Sequence, residues 1–149
     1  MPTRFTHTNL IARDWRILAS FYESVFGCTM ILPQRDLAGK WLDRATGLRD
    51  ARIRGAHLRL PGHGPDGPTL EIYEYEQLSF RPESAPNTPG FSHIAFAVDD
   101  VAKTALRVLD AGGKALGELT EVDVPGAGHL VFQYMTDPEG NIVELQRWP

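Results

Sequence analysis

The chain has 149 residues, enough for one well-buried core or two small modules sharing one. A hydrophobic fraction of 42%, a charged fraction of 23% and a net charge of -4 match an ordinary soluble globular protein and leave no basic footprint for nucleic acid. No apolar run approaches the ~20 residues that span a bilayer, residues 1–5 lack the apolar core of a secretory signal, and the single Cys28 can form no internal disulfide, so the expected setting is cytoplasmic and reducing, without nucleic-acid or membrane partners.

Residues 5–11 form a short apolar, Thr-rich run that reads as a strand, with Phe5, His7, Asn9 and Ile11 on one face. Asp14 is placed to cap a helix running to about Phe26, whose expected inward stripe is Ile17, Leu18, Phe21, Tyr22 and Val25. Gly27 supplies its stop, and a short strand is expected from Thr29 to Leu32. Residues 33–50 read as irregular, with Trp41 either lining a ligand mouth or closing a core edge. An alternating strand covers residues 51–60, and its Arg52, Arg54 and Arg59, with the nearby Arg49, suit a solvated face better than a phosphate site. After the Pro- and Gly-rich turn at 61–68, residues 70–75 form a strand on which Glu71, Tyr73 and Tyr75 share a face.

Residues 76–90, with Pro82, Pro86, Pro89 and Gly90, read as a linker. The same order then recurs. A strand spans residues 91–98, and a helix capped by Asp99 or Asp100 is expected to turn Val101, Ala105, Leu106 and Leu109 inward before Gly112 and Gly113. Short strands are expected at about 115–119, at 129–135 after the turn at 125–128, and at 141–147.

Phe5-Thr6-His7 and Phe91-Ser92-His93 open the two halves, with an Asp seven residues after each His and a Gly twenty after it. Pro65-Asp66-Gly67 precedes Glu71 at the spacing by which Pro138-Glu139-Gly140 precedes Glu144. Two internally matched blocks separated by a middle of different length indicate a tandem duplication. The expected fold is therefore α+β: one domain over residues 1–149, built of two β-α-β-β-β modules, 5–75 and 91–147, joined by the linker 76–90.

The duplication selects four polar residues from otherwise apolar strands: His7 and Glu71, and His93 and Glu144. A lone strand histidine is more often structural than a ligand, and a lone glutamate more often solvated. Recurrence at corresponding positions reverses that balance. A carboxylate is rarely buried without a partner, and two imidazoles with two carboxylates suit a divalent cation. His57, His63 and His129 lie in or near turns and read as surface residues, with His129 the best placed of them to approach a ligand.

These residues, with Leu70-Glu71-Ile72, His93-Ile94-Ala95-Phe96, and Asp137-Pro138-Glu139-Gly140-Asn141 leading into Val143-Glu144-Leu145, resemble the vicinal oxygen chelate superfamily. That superfamily includes glyoxalase I, methylmalonyl-CoA epimerase, extradiol dioxygenases and fosfomycin- and bleomycin-resistance proteins. The resemblance covers essentially the whole chain and implies paired modules forming a cupped mixed sheet around a metal site. It implies His7, Glu71, His93 and Glu144 as ligands of one divalent metal ion (Ni, Zn, Co, Mn or Fe), with Glu144 or Glu71 as the catalytic base.

The implied reaction is that of a lyase or isomerase acting on a small molecule with vicinal oxygens. An iron(II) extradiol-type dioxygenase and a non-catalytic drug-binding protein are the alternatives. Glutathione-using glyoxalases resemble one another in having Arg four residues after the first His and Asn four after the first Glu. Ile11 and Tyr75 stand there in this chain, which argues for an apolar or aromatic substrate. Asn9, Ile11, Trp41, Tyr73, Tyr75 and Gln146 are the expected substrate-binding residues. The resemblance also implies a homodimer.

Overall fold

The computed structural model describes residues 2–148. The chain folds as two compact units, the first ending at Phe80 and the second beginning at Arg81, a boundary inside the Pro-rich segment 76–90.

The first unit runs β1 (His7–Ile11), α1 (Trp15–Phe26), β2 (Thr29–Ala38), α2 (Lys40–Thr46), β3 (Arg52–Arg59) and β4 (Thr69–Tyr75). Its sheet has the order β1-β4-β3-β2, with β1 parallel to β4 and the other pairs antiparallel. Asp14 caps α1 by accepting from the amides of Arg16 and Ile17, and Gly27 ends it in a left-handed conformation at φ 73°. One face of the sheet carries Ala56, Leu58, Leu70 and Ile72, all buried on the side where α1 packs with Trp15, Leu18 and Tyr22. Period-two alternation then sends His7, Asn9, Glu71, Tyr73 and His57 to the opposite face.

The second unit runs β5 (His93–Ala97), α3 (Val101–Asp110), β6 (Lys114–Ala115), β7 (Thr120–Val124), β8 (Gly128–Thr136) and β9 (Ile142–Arg147). Its sheet has the order β5-β9-β8-β6, and β7 also pairs with β8. Asp100 caps α3, and Val101, Thr104, Ala105 and Val108 form its buried face. The turn before β9 is organised by buried Asp137. Its Oδ1 accepts from the amides of Glu139 and Asn141 at 2.9 Å each, and its Oδ2 accepts from Asn141 Nδ2 at 2.7 Å.

The two sheets are therefore both mixed, and the duplication extends to their registers. Each first strand pairs in parallel with the last strand of its unit. Each recurring Glu lies across from the residue two after the His: Asn9 faces Glu71, and Ala95 faces Glu144. The strand before the last, β3 or β8, supplies His57 across from Glu71 in one unit and Tyr134 across from Glu144 in the other.

Several expectations are corrected. The stretch 33–50 is not irregular: β2 continues to Ala38 past a bulge between Ile31 and Arg35, and α2 follows. Ile17, Leu106 and Leu109 face outward at 59%, 62% and 45% exposure. Trp15, Thr104 and Val108 take the inward positions instead, because packing selects one face of the helix rather than every apolar residue. The strand expected at 115–119 is two residues long, and β7 occupies 120–124 before the turn. Arg52 and Arg54, on the inner strand β3, are half-buried and both pair with Asp36, Arg52 by two 2.9 Å bonds.

Candidate metal centre

In the first unit His7 Nε2 lies 3.5 Å from Glu71 Oε2, and in the second His93 Nε2 lies 3.0 Å from Glu144 Oε2. Both carboxylates are largely buried, at 17% and 13% exposure of their side chains, while the imidazoles are more open. An imidazole nitrogen and a carboxylate oxygen that bind one cation at about 2.1 Å stand about 3.0–3.4 Å apart. The donor chemistry suits a divalent metal; the 3.0 Å spacing of His93 and Glu144 falls in that range, and the 3.5 Å spacing of His7 and Glu71 lies just beyond it. Among the described residues, no group of three or more His, Cys, Asp and Glu side chains is itself arranged to hold a metal ion. The His–Glu pair that recurs with the duplication is His7 with Glu71 in the first unit and His93 with Glu144 in the second.

The environments of the two carboxylates differ. Glu71 Oε2 accepts from Asn9 Nδ2 at 2.9 Å, and Glu71 Oε1 lies 3.1 Å from His57 Nε2. Glu144 has Ala95 and Tyr134 at the corresponding cross-strand positions. Tyr134 stacks edgewise on His93, with ring centroids 5.1 Å apart. Burial, then the nearby Glu144 carboxylate, raises the Tyr134 phenol above its ordinary pKa. Burial, then Glu71, does the same to Tyr73. The His57 imidazole is held below the ordinary histidine value by burial, although the Glu71 carboxylate favours its charged form.

His57 corrects the sequence reading. It is not a turn or surface residue but sits within β3, facing Glu71. The sequence does carry the signal: β3 and β4 pair symmetrically about the turn at Gly64, so counting outward from Gly64 places His57 opposite Glu71. His129, the turn histidine expected to be nearest a ligand, instead has Nδ1 2.8 Å from Asp123 and Nε2 3.7 Å from Glu121 on the β7–β8 hairpin. His63 is exposed in its turn, as expected.

Five of the six expected substrate-binding residues line one cavity with Glu71. Asn9, Ile11, Trp41, Tyr73 and Tyr75 join Leu37, Leu42 and Ile53 around about 280 Å³. Helix α2 supplies the wall at Trp41 and Leu42, so a reading of 33–50 as a loop hides the cavity. Beneath it Leu42, Ala51, Ile53 and Tyr73 form a buried apolar cluster with Leu37 and Tyr75. Asp43, in the first turn of α2, ties the helix to the start of the following strand by accepting from the Ala51 amide at 2.8 Å. Glu71 is the one charged residue among those lining the cavity. The sixth residue, Gln146, lies in β9 of the second unit, on the same face of the sheet as Glu144, and accepts from Trp148 Nε1 at 3.0 Å.

The protein CFP32 of Mycobacterium tuberculosis is 39% identical over 60 residues, covering 40% of this chain and only 22% of that relative. A lactoylglutathione lyase from Salmonella typhimurium is 25% identical over 142 residues, 95% of this chain and 90% of that protein. A crystal structure of a glyoxalase family protein from Bacillus cereus shares the fold, with a TM-score of 0.83 at 17% identity over 99% of this chain and 95% of that one. The family model for the glyoxalase/bleomycin resistance protein/dioxygenase superfamily matches residues 4–145, and the chain belongs to that superfamily.

Proposed function

We propose that this protein is a divalent-metal-dependent lyase or isomerase, glyoxalase-like in its chemistry, acting on a small substrate that presents two neighbouring oxygens. The observation that carries this reading is the recurrence of an imidazole–carboxylate pair at one strand register in both units. His7, Glu71, His93 and Glu144 are the residues that would hold the cation, and such donors suit Ni, Zn, Co, Mn or Fe alike. A divalent cation held by them supplies Lewis acidity toward a carbonyl and makes the neighbouring C–H more acidic.

The chain's own residues then handle the proton. Glu144 or Glu71 accepts it from carbon and returns it to the adjacent position, as a general base must do within hydrogen-bond reach. The cavity beside Glu71 receives the remainder of the substrate. Its mostly aromatic and aliphatic lining includes no Lys or Arg, which supports an uncharged apolar or aromatic group. The similarity to a lactoylglutathione lyase supports the reaction class, while Ile11 and Tyr75 argue against a glutathione arm. Superfamily members bind small molecules and often form dimers, and we extend both properties to this chain.

The test is solvent deuterium incorporation, followed by NMR, into aryl α-hydroxyketones and arylglyoxals with each of the five metals. Exchange that requires both metal and protein is expected. Absence of exchange with every metal overturns the proposal, and oxygen uptake on a catechol with iron(II) would replace it by the dioxygenase reading.

A further inference from the structure

We propose that Thr69, His57 and Glu71 form a hydrogen-bonded relay across β3 and β4, and that His57 is a positioning residue which fixes Glu71. The inference rests on the reading of Glu71 as a metal ligand and assigns the means by which the fold holds it.

The three side chains share one face of the first sheet. Thr69 and Glu71 are two residues apart on β4, and His57 on β3 pairs directly with Glu71. His57 Nε2 lies 3.1 Å from Glu71 Oε1, and its Nδ1 lies 3.1 Å from Thr69 Oγ1. An ionised carboxylate only accepts, so His57 Nε2 must carry the hydrogen. In the neutral ring Nδ1 is then an acceptor, and the Thr69 hydroxyl donates to it. The relay therefore runs from the Thr69 hydroxyl through the ring to the carboxylate, with one tautomer throughout.

Both ring nitrogens are engaged, so His57 is not a free donor for a cation. Glu71 Oε1 is tied to β3, which leaves Oε2, beside His7 Nε2 at 3.5 Å and Asn9 Nδ2 at 2.9 Å, as the oxygen turned toward the His7 imidazole. Tyr73 supports the ring edge-on, with centroids 6.2 Å apart and planes at 90°. Among the described residues, the second unit has Tyr134, whose ring stacks on His93, at the position of His57. Partners that orient a metal ligand through hydrogen bonds typically change metal affinity by about 10–100-fold when removed.

The relay is tested first without metal. Long-range proton–nitrogen NMR correlation on the metal-free protein should show His57 as the Nε2–H tautomer, and Thr69→Val should shift its Nδ1 resonance. An Nδ1–H tautomer overturns the relay. Titration with Ni²⁺ alone then measures its effect. Glu71→Gln and His57→Leu should each weaken binding, the latter by about 10–100-fold. His57→Gln, whose amide N–H can still donate to Glu71, should recover most of the loss. Equal loss in His57→Gln and His57→Leu would make His57 a ligand and overturn the positioning role, as would unchanged affinity in His57→Leu. Unchanged affinity in Glu71→Gln removes Glu71 from the metal site, a separate failure, and the tautomer spectrum still decides whether the relay exists.

Discussion

Asn9 on β1 donates from Nδ2 to Glu71 Oε2 on β4 at 2.9 Å, across a parallel pair in which the two residues are direct partners. The matching pair in the second unit is Ala95 and Glu144, and the alanine side chain has nothing to donate. The duplicated units thus hold equivalent carboxylates by different means. Glu71 is restrained at both oxygens, by Asn9 and His57, whereas Glu144 meets His93 at 3.0 Å and has Ala95 and Tyr134 at those two positions. A carboxylate that must swing toward carbon is better placed on the less restrained side.

Glu144→Gln is therefore expected to lower turnover by about 10²–10⁴-fold, the range of a lost general base. Deuterium incorporation in the metal-loaded variant measures this, alongside its metal content. Full activity in Glu144→Gln would remove that residue from the proton transfer. Metal analysis of the purified protein and of His93→Ala provides the companion measurement, in which the variant should hold markedly less metal. Equal metal content in the two would exclude His93 as a ligand.

How far this site is legible in the sequence depends on strand periodicity. His7, Asn9 and Ile11, and Glu71, Tyr73 and Tyr75, stand at alternate positions in otherwise apolar strands, and period-two geometry alone puts each set on one face. The duplication supplies the second pair. Three features escape that reading for identifiable reasons. The seven residues of α2 lie between Gly39 and Gly47, which read as loop punctuation but serve as its N-cap and its C-cap, Gly47 at φ 72°. Closeness to a turn misplaces His57, because the hairpin register is the informative quantity. Gly113, matched to Gly27 by spacing, plays a different part: Gly112 takes the left-handed turn at φ 93°, and a Cβ on Gly113 would lie 2.4 Å from the Thr136 carbonyl oxygen. Positional equivalence survives the duplication there while the physical requirement differs.

Asp137 should carry much of the stability of the turn that leads into Glu144. It is 2% exposed, and its carboxylate receives two backbone amides and the Asn141 side chain. Asp137→Ala would remove the acceptor of all three donors, at a cost of about 2–4 kcal/mol. Denaturant unfolding is the measurement. A change below about 0.5 kcal/mol, as for an ordinary surface substitution, would show that the turn is organised by something else.

Cys28 should be inert despite being the only thiol. Burial, reinforced by the nearby Glu23 carboxylate, raises it from 9.0 to about 12. The nucleophilic thiolate is then scarce in the folded protein at neutral pH. Reaction with a thiol reagent such as Ellman's should be slow in the native state and fast after unfolding; rapid native labelling would contradict the assignment. Linkage gives a second consequence. Because the folded value lies above the unfolded one, this contribution to stability is fully present below about pH 9. It is lost as pH rises from 9 toward 12, where the unfolded chain releases the proton first. Cys28→Ala should flatten that alkaline decline.

Trp41 offers the most direct test of substrate class. It projects from α2 into the wall of the cavity beside Glu71 while remaining 51% exposed, so its removal leaves the buried cluster of Leu42, Ala51, Ile53 and Tyr73 in place. An indole lost from a binding wall forfeits apolar contact area with the ligand and little folding energy. Trp41→Ala is expected to raise KM for an aryl substrate by about 10-fold, equivalent to about 1.4 kcal/mol, with kcat nearly unchanged. That pattern marks binding energy felt equally in the ground and transition states. A small aliphatic substrate with the same vicinal oxygens should show a much smaller change, because it does not reach the indole. Equal KM increases for aryl and aliphatic substrates would mean that Trp41 acts through α2 rather than by contact, and an unchanged KM for both would place the substrate's apolar arm elsewhere.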